Sequence, residues 1–220
     1  MFKQISVALF GVLMAGSAFA AGPADSSASP MKWQEGKSYF LIEPPQPTAS
    51  GSKIEVLEVF SYACIHCAHF QPIAEQIKKN LPSYAEYSYM PAIFNAQWEP
   101  FARAFYTAQS LGMLDKTHDA LFNALHVEHK PLGDINSLAA WYANYGVNPD
   151  KFISASTSFE VESKMARSMS MVPKYGIDGT PSIIIDGKFR LNRSSAGSDE
   201  ELMDLVKYLV DKAHREKALK

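Results

Sequence analysis

The amino-acid sequence predicts an α/β protein, a central mixed sheet with one block of helices inserted between its strands. Three observations predict it. Residues 54–60 form a short, alternating, strongly apolar run of strand length, 84–90 read as a second core strand, and the stretch between them has helical spacing. Helical spacing then continues without a strand from Trp98 towards Met171. Strand signals return at 182–185, and Asp186-Gly187 joins that run to 188–191 as a hairpin. Strands, then helices, then strands in one chain describe a mixed sheet with a helical insertion.

Taken in order, residues 1–20 read as a secretory signal peptide. Met1-Phe2-Lys3 is a positive start, 5–15 is apolar or small, and Ala18-Phe19-Ala20 fits the small-x-small cleavage rule. That apolar run is shorter than the about 20 residues a membrane span needs. Residues 21–52 read as a leader and N-terminal extended segment. Within it, 21–30 is rich in Ala, Ser, Gly and Pro, 33–42 is a first strand or arm, and the prolines of 43–52 mark a loop. The sheet begins in 53–95, with strand 54–60, the turn Ser61-Tyr62-Ala63, a helix from Cys64 and strand 84–90. Residues 96–172 are the helical insertion. Its helices are 98–111 stopped by Gly112, 115–127, 135–145 closed by Gly146, and one opened by Asn148-Pro149-Asp150 and running towards Met171. Residues 173–220 return to the sheet and end in a helix opened by the capping-box spacing Ser198-Asp199-Glu200-Glu201.

The composition, 47% hydrophobic and 20% charged with a formal charge of −2, supplies a core. No basic stripe or aromatic-basic pattern points to nucleic acid. The cysteines are more telling. The chain has two, Cys64 and Cys67. In an exported protein a disulfide usually serves as a staple. By the chain-entropy model a four-residue loop gains about 2 kcal/mol, against about 4.7 for a 100-residue loop. This pair is badly placed to staple and well placed to react.

Thiol–disulfide exchange needs a thiolate. Cys64 falls at the first turn of its helix, where unpaired backbone N–H groups and the helix dipole favour an anion. Cys67, one turn later, can donate its S–H to that sulfur, and His66 between them can add a donor or a positive charge. Cys64 is therefore assigned as nucleophile and Cys67 as resolving thiol, with a redox disulfide between them. The rival readings are a zinc half-site completed by His69, His126 and His129, and a purely structural disulfide. Zinc is disfavoured because no second Cys pair supplies a thiolate-rich set, so no metal is assigned. Glu58 lies within strand 54–60 on the face opposite Val59. It is either a buried acid with a raised pKa or a strand-end carboxylate facing solvent. Pro181 precedes the strand at 182 and by pattern alone reads as an ordinary trans proline at a strand start.

Strand, Phe60-Ser61-Tyr62-Ala63-Cys64-Ile65-His66-Cys67, helical insertion, and Thr180-Pro181 before a hairpin together resemble the DsbA family of the thioredoxin superfamily. The resemblance covers nearly all of the chain from Trp33 onward. It implies a thioredoxin-like fold with an inserted all-helical domain and a protein disulfide oxidoreductase that uses no cofactor beyond its own disulfide. It also implies work in the periplasm on reduced exported proteins, and reoxidation by a DsbB-like membrane quinone reductase. Cys64 matches the exposed nucleophile, Cys67 its buried partner, His66 the thiolate-stabilising histidine, and Glu58 the buried acid. Thr180 and a cis Pro181 match the substrate-binding residues that face the disulfide. Pro72 is similar to the kink proline of thioredoxin itself. Ile65 stands where the best-known member has Pro, and Thr180 where it has Val; both positions touch the sulfurs and bear on oxidising strength. A reductase or isomerase is the nearest alternative. Isomerases of this superfamily are dimers with an added N-terminal domain, whereas a short segment precedes strand 54–60 here, so a monomeric oxidase is expected. A non-redox binding module, with Met165, Met169 and Met171 lining an apolar groove, is the alternative of a different class. At helical spacing those methionines read first as core.

Overall fold

Seven consecutive residues, Ile54–Phe60, are buried on both faces and form the centre of the molecule. In the computed structural model, which describes residues 32–219, this strand is β2. The signal peptide assigned to 1–20, and the leader as far as residue 31, lie outside the described residues. Among the described residues five strands form one sheet in the order β1-β5-β4-β2-β3. They are β1 (Phe40–Leu41), β2, β3 (Ala85–Pro91), β4 (Ser182–Ile185) and β5 (Phe189–Asn192). β2 pairs parallel with β3 and antiparallel with β4, so the sheet is mixed. A parallel pair needs a crossover, and α1 (Ile65–Asn80) supplies it.

The side-chain alternation of β2 sorts the core. Ile54 and Val56 face α1 and the last helix, α7 (Asp199–Ala218), where Phe70, Ile73, Leu202, Leu205 and Leu209 pack. Leu57 and Val59 face the other way, against Met171, Val172 and Tyr175. Between β3 and β4 come α2 (Glu99–Ser110), α3 (Leu114–His126), α4 (Ile135–Tyr142), α5 (Pro149–Ser156) and α6 (Phe159–Lys174). One apolar cluster joins these helices to the redox turn: Phe105, Leu121, Phe122 and Tyr142 pack with Phe60, Tyr62 and Cys67.

Four expectations need correction. Residues 33–42 do not make a strand: a turn through Gly36, at φ 76°, leaves only Phe40–Leu41 paired at the sheet edge. The helix expected from Pro149 towards Met171 is two helices. Ser158 turns extended and caps α6 by accepting from the Val161 N–H, a break hidden by helical spacing on both sides. At α7 the Ser198 hydroxyl accepts from the Glu201 N–H, but Glu201 reaches back to the Gly197 N–H, one residue short of a reciprocal box. Met165 and Met171 are core as read, whereas Met169 is exposed.

The β4–β5 hairpin turns on Asp186 and Gly187, both left-handed at φ 50° and 64°, the geometry of a two-residue turn. Gly187 also lies beneath the loop after β1, its carbonyl accepting from the Gln46 N–H at 2.9 Å. A Cβ at 187 would be driven into the Gln46 carbonyl oxygen. Gly187→Ala is expected to cost about 1–3 kcal/mol, from left-handed strain plus a backbone shift. Urea unfolding checks this, and a loss below a few tenths would show the turn to be pliable.

Candidate active site

β2 runs out at Phe60, and the chain turns through Ser61-Tyr62-Ala63 into α1. The turn closes on itself. The Ser61 carbonyl accepts from the Cys64 N–H at 3.0 Å, and the Ser61 hydroxyl accepts from the Ala63 N–H at 3.1 Å. Cys64 is the N-cap residue of α1, extended at φ −92° and ψ 111°, while its carbonyl accepts from the Cys67 and Ala68 N–H groups. No side-chain oxygen caps this helix. The Cys64 sulfur lies at that uncapped end, where the nearby Cys67 and His66 backbone N–H groups favour its anion.

Both cysteines are free thiols in this structure. The Cys64 thiol donates to the Thr180 carbonyl at 3.3 Å. The Cys67 S–H is the largest influence holding the Cys64 thiol well below its ordinary range. The Thr180 hydroxyl and the two backbone N–H groups add to it, against the opposing effect of burial. Cys67 is pushed far up, first by burial and then by its hydrogen bond to Cys64 and that sulfur's charge. The pair is therefore asymmetric, one sulfur disposed to be an anion and the other to keep its proton. Cys64 is less open than the resemblance implied: it is 8% exposed, because Thr180 lies over it, and Cys67 is fully buried.

The other expected residues fall around this pair. Thr180–Pro181 is cis, as the resemblance implied. Glu43–Pro44 is also cis, which nothing in the sequence pattern indicated. Ile65 is 42% exposed beside the thiol. His66 is exposed at the edge of a cleft of about 240 Å³ shared with Thr180, Pro181 and Arg193. Its backbone N–H, rather than its imidazole, figures in the lowering of Cys64. Glu58 is fully buried on the α1 face of β2. Burial pushes its carboxyl up to about 7, against a hydrogen bond from the Tyr87 hydroxyl at 2.7 Å. Its second oxygen makes no hydrogen bond among the described residues, so one neutral donor is all that offsets the loss of water. Among the described residues no group of three or more His, Cys, Asp or Glu gathers as metal ligands would.

Sequence reasoning missed several participants. Tyr87 and Tyr89 stand two apart on β3, paired in register with Val56 and Glu58, so the strand period puts both on the Glu58 face. Lys78 of α1 sits 4.8 Å above the Tyr89 ring and draws the Glu58 carboxyl down. A second group grips the turn. The Tyr62 hydroxyl shares a 2.8 Å hydrogen bond with His118 Nδ1, and the Tyr62 carbonyl accepts from His126 Nε2 at 2.7 Å. Phe122, between them on α3, meets the Tyr62 ring edge-on at 4.9 Å. Burial pushes His118 down to about 3, so it is neutral at working pH. The spacing 118, 122, 126 marks one helix face, but only the fold shows that Tyr62 is what it holds.

A mixed sheet, a Cys-x-x-Cys pair at the start of the first long helix and a cis proline next to the Thr180 carbonyl that the Cys64 thiol meets define a thioredoxin-fold thiol–disulfide oxidoreductase. A family model described as a DSBA-like thioredoxin domain matches residues 76–209, downstream of the two cysteines. The chain belongs to that family. It is 34% identical over 177 residues to the thiol:disulfide interchange protein DsbA of Pseudomonas aeruginosa, covering 80% of this chain and 84% of the relative. It is 33% identical over 204 residues to that of Azotobacter vinelandii, covering 92% and 95%. The crystal structure of Pseudomonas aeruginosa DsbA superposes with a TM-score of 0.79 at 34% identity, covering 86% of this chain and 97% of that one. The oxidoreductase DsbA from Xylella fastidiosa gives 0.75 at 31%, covering 80% and 95%.

Two outcomes follow from the electrostatics. Thr180→Val removes a hydroxyl that favours the Cys64 anion, so the thiolate absorbance of the reduced protein should titrate at higher pH than wild type; an unmoved midpoint would leave that work to Cys67 and the helix. Glu58 ionises near 4.5 when unfolded and near 7 when folded, so between those values the native state binds more protons. Its contribution to stability is complete below about 4.5 and is lost as pH rises through about 7, a span of about 3 kcal/mol. Glu58→Gln should remove that slope from urea unfolding of the reduced protein, and Tyr87→Phe should extend it to higher pH and enlarge the total loss.

Proposed function

We propose that the protein oxidises exported polypeptides, donating a Cys64–Cys67 disulfide in the bacterial periplasm, and that a DsbB-like membrane quinone reductase restores it. The observation that carries this reading is the asymmetry of the two sulfurs. An anion at Cys64 exists only in the reduced state, so whatever stabilises it makes the disulfide a stronger oxidant. The signal-peptide pattern of residues 1–20 supports the location. Residues 96–172 are read as an inserted lobe whose α3 steadies the redox turn.

The chemistry proceeds in two exchanges. A thiolate of the client polypeptide attacks the Cys64 sulfur of the oxidised enzyme, forming a client–Cys64 disulfide as the Cys64–Cys67 bond breaks. Cys67 leaves with the electron pair and takes a proton, which its raised pKa demands. Glu58, buried and close to half-protonated near neutrality, is suited to supply that proton. A second client thiolate then attacks the client sulfur of the mixed disulfide. The client disulfide forms, and Cys64 departs as the stabilised thiolate. Two electrons have passed from client dithiol to enzyme. The donors around Cys64 act at this second departure, where a low thiol pKa makes a good leaving group. His66, Thr180, Pro181 and Ile65 form the surface the client meets.

Equilibration with glutathione should give a potential clearly more oxidising than the about −270 mV of thioredoxin; a thioredoxin-like value would make the protein a reductase. Cys64→Ser should abolish oxidation of a reduced test peptide, and unchanged turnover would place the activity elsewhere.

A further inference from the structure

Two stripes of side chains face each other beside the redox turn. Ile65, Ala68, Pro72 and Glu75 lie along α1, and Val127, Phe122 and Asp119 along the end of α3. The helices run in opposite directions here. The His126–Tyr62 bond sets the C-terminal end of α3 at the start of α1, while Glu75 and Asp119 feel each other's charge at the far end. Between them is a furrow of about 360 Å³. Its character changes along its length. At the thiol end it is open and mostly apolar, with Ile65 42% and Val127 69% exposed, though His69 and His126 also line it. At the far end it is acidic, and neither Lys nor Arg lines it. Lys78 is paired with Glu75 and also acts on Asp119 from a distance, so one cation faces two carboxylates; Asp119 is exposed and makes no direct ion pair among the described residues.

We propose that this furrow seats the client polypeptide while it is joined to Cys64. An apolar side chain beside the client cysteine packs on Ile65, Phe122 and Val127, and a Lys or Arg further along reaches Asp119 and Glu75. The inference rests on Cys64 as the attacked sulfur, and it adds to the Thr180–Pro181 surface a second client contact on the α1–α3 side of that sulfur. A polypeptide is the occupant because the furrow opens directly from the residue next to Cys64 and is lined as an extended chain requires: apolar near the reaction, complementary in charge beyond it. Its length sets the spacing. Ten helical residues from Ile65 to Glu75 span about 15 Å at about 1.5 Å each. An extended chain advances about 3.3 Å per residue. The basic residue therefore belongs about four or five residues from the client cysteine.

The test is a set of dithiol peptides in which one Lys, or Gln as control, is moved from about two to about seven residues from the first cysteine, on either side. The kcat/KM for their oxidation by the oxidised protein is compared. On one side of the cysteine, Lys at about four or five residues should be favoured over Gln about two- to fivefold, the size of an exposed ion pair. The preference should fall to one in Asp119→Asn/Glu75→Gln. Val127→Ser should lower kcat/KM for peptides with an apolar residue beside the cysteine more than for those with Ser there. A flat Lys scan overturns the proposal, as does a preference that survives the double substitution. Self-association in sedimentation that Val127→Asp abolishes also overturns it, because the furrow would then belong to a second copy of this chain. Dithiothreitol separates this inference from the reading beneath it. If the wild type oxidises dithiothreitol through Cys64 but shows a flat scan, docking alone fails; if it does not, the assignment of Cys64 fails first.

Discussion

One sulfur atom stands where a capping oxygen would normally stand. The first turn of any α-helix leaves N–H groups unsatisfied, and most helices fill them with Ser, Thr, Asp or Asn. In α1 no side chain fills them; the Cys64 sulfur sits at that end instead, and the Cys67 thiol and the Thr180 side chain favour its anion. A neutral disulfide sulfur is a poor acceptor for such an array and an anionic one a good acceptor. Much of the surrounding structure keeps that atom in place. β2 is buried along its whole length, Ser61 closes the turn, and α3 grips Tyr62 through two histidines and a phenylalanine.

Glu58 shows what the arrangement costs. A carboxyl at the centre of a sheet, with one phenol as its partner, weakens the fold whenever it ionises. An apolar residue there would pack without that penalty. A carboxyl poised near neutrality can exchange a proton when the pH is physiological, which neither a solvent-facing glutamate nor a leucine can do. Its surroundings are tuned from three elements: Tyr87 on β3, Lys78 and the N-cap Cys64 sulfur of α1, and Asp119 on α3.

Local patterns made much of this legible in the sequence. The limits of β2 agree with the apolar run, the hairpin lies where Asp186-Gly187 placed it, and the thiols occupy the start of α1. These features are short in range, each set by a few neighbouring residues. What escaped depends on distant residues meeting. Tyr87 becomes relevant only once β3 is known to lie beside β2, and His118 and His126 only once α3 is known to cross the turn, more than fifty residues away in the chain. The break at Ser158 escaped for the opposite reason. The capping was local, but the apolar spacing on both sides hid it. The partial covering of Cys64 comes from Thr180, which joins it only through the tertiary fold.

The complete enclosure of Cys67 has a consequence for traffic through the enzyme. Of the two cysteines only Cys64 retains any surface, so a bulky polypeptide has a single residue at which to be tethered and a single direction from which to hang. Each molecule therefore handles one passenger at a time. An interrupted encounter leaves every passenger fastened by the same bond, with the inner thiol still within reach to cut it loose.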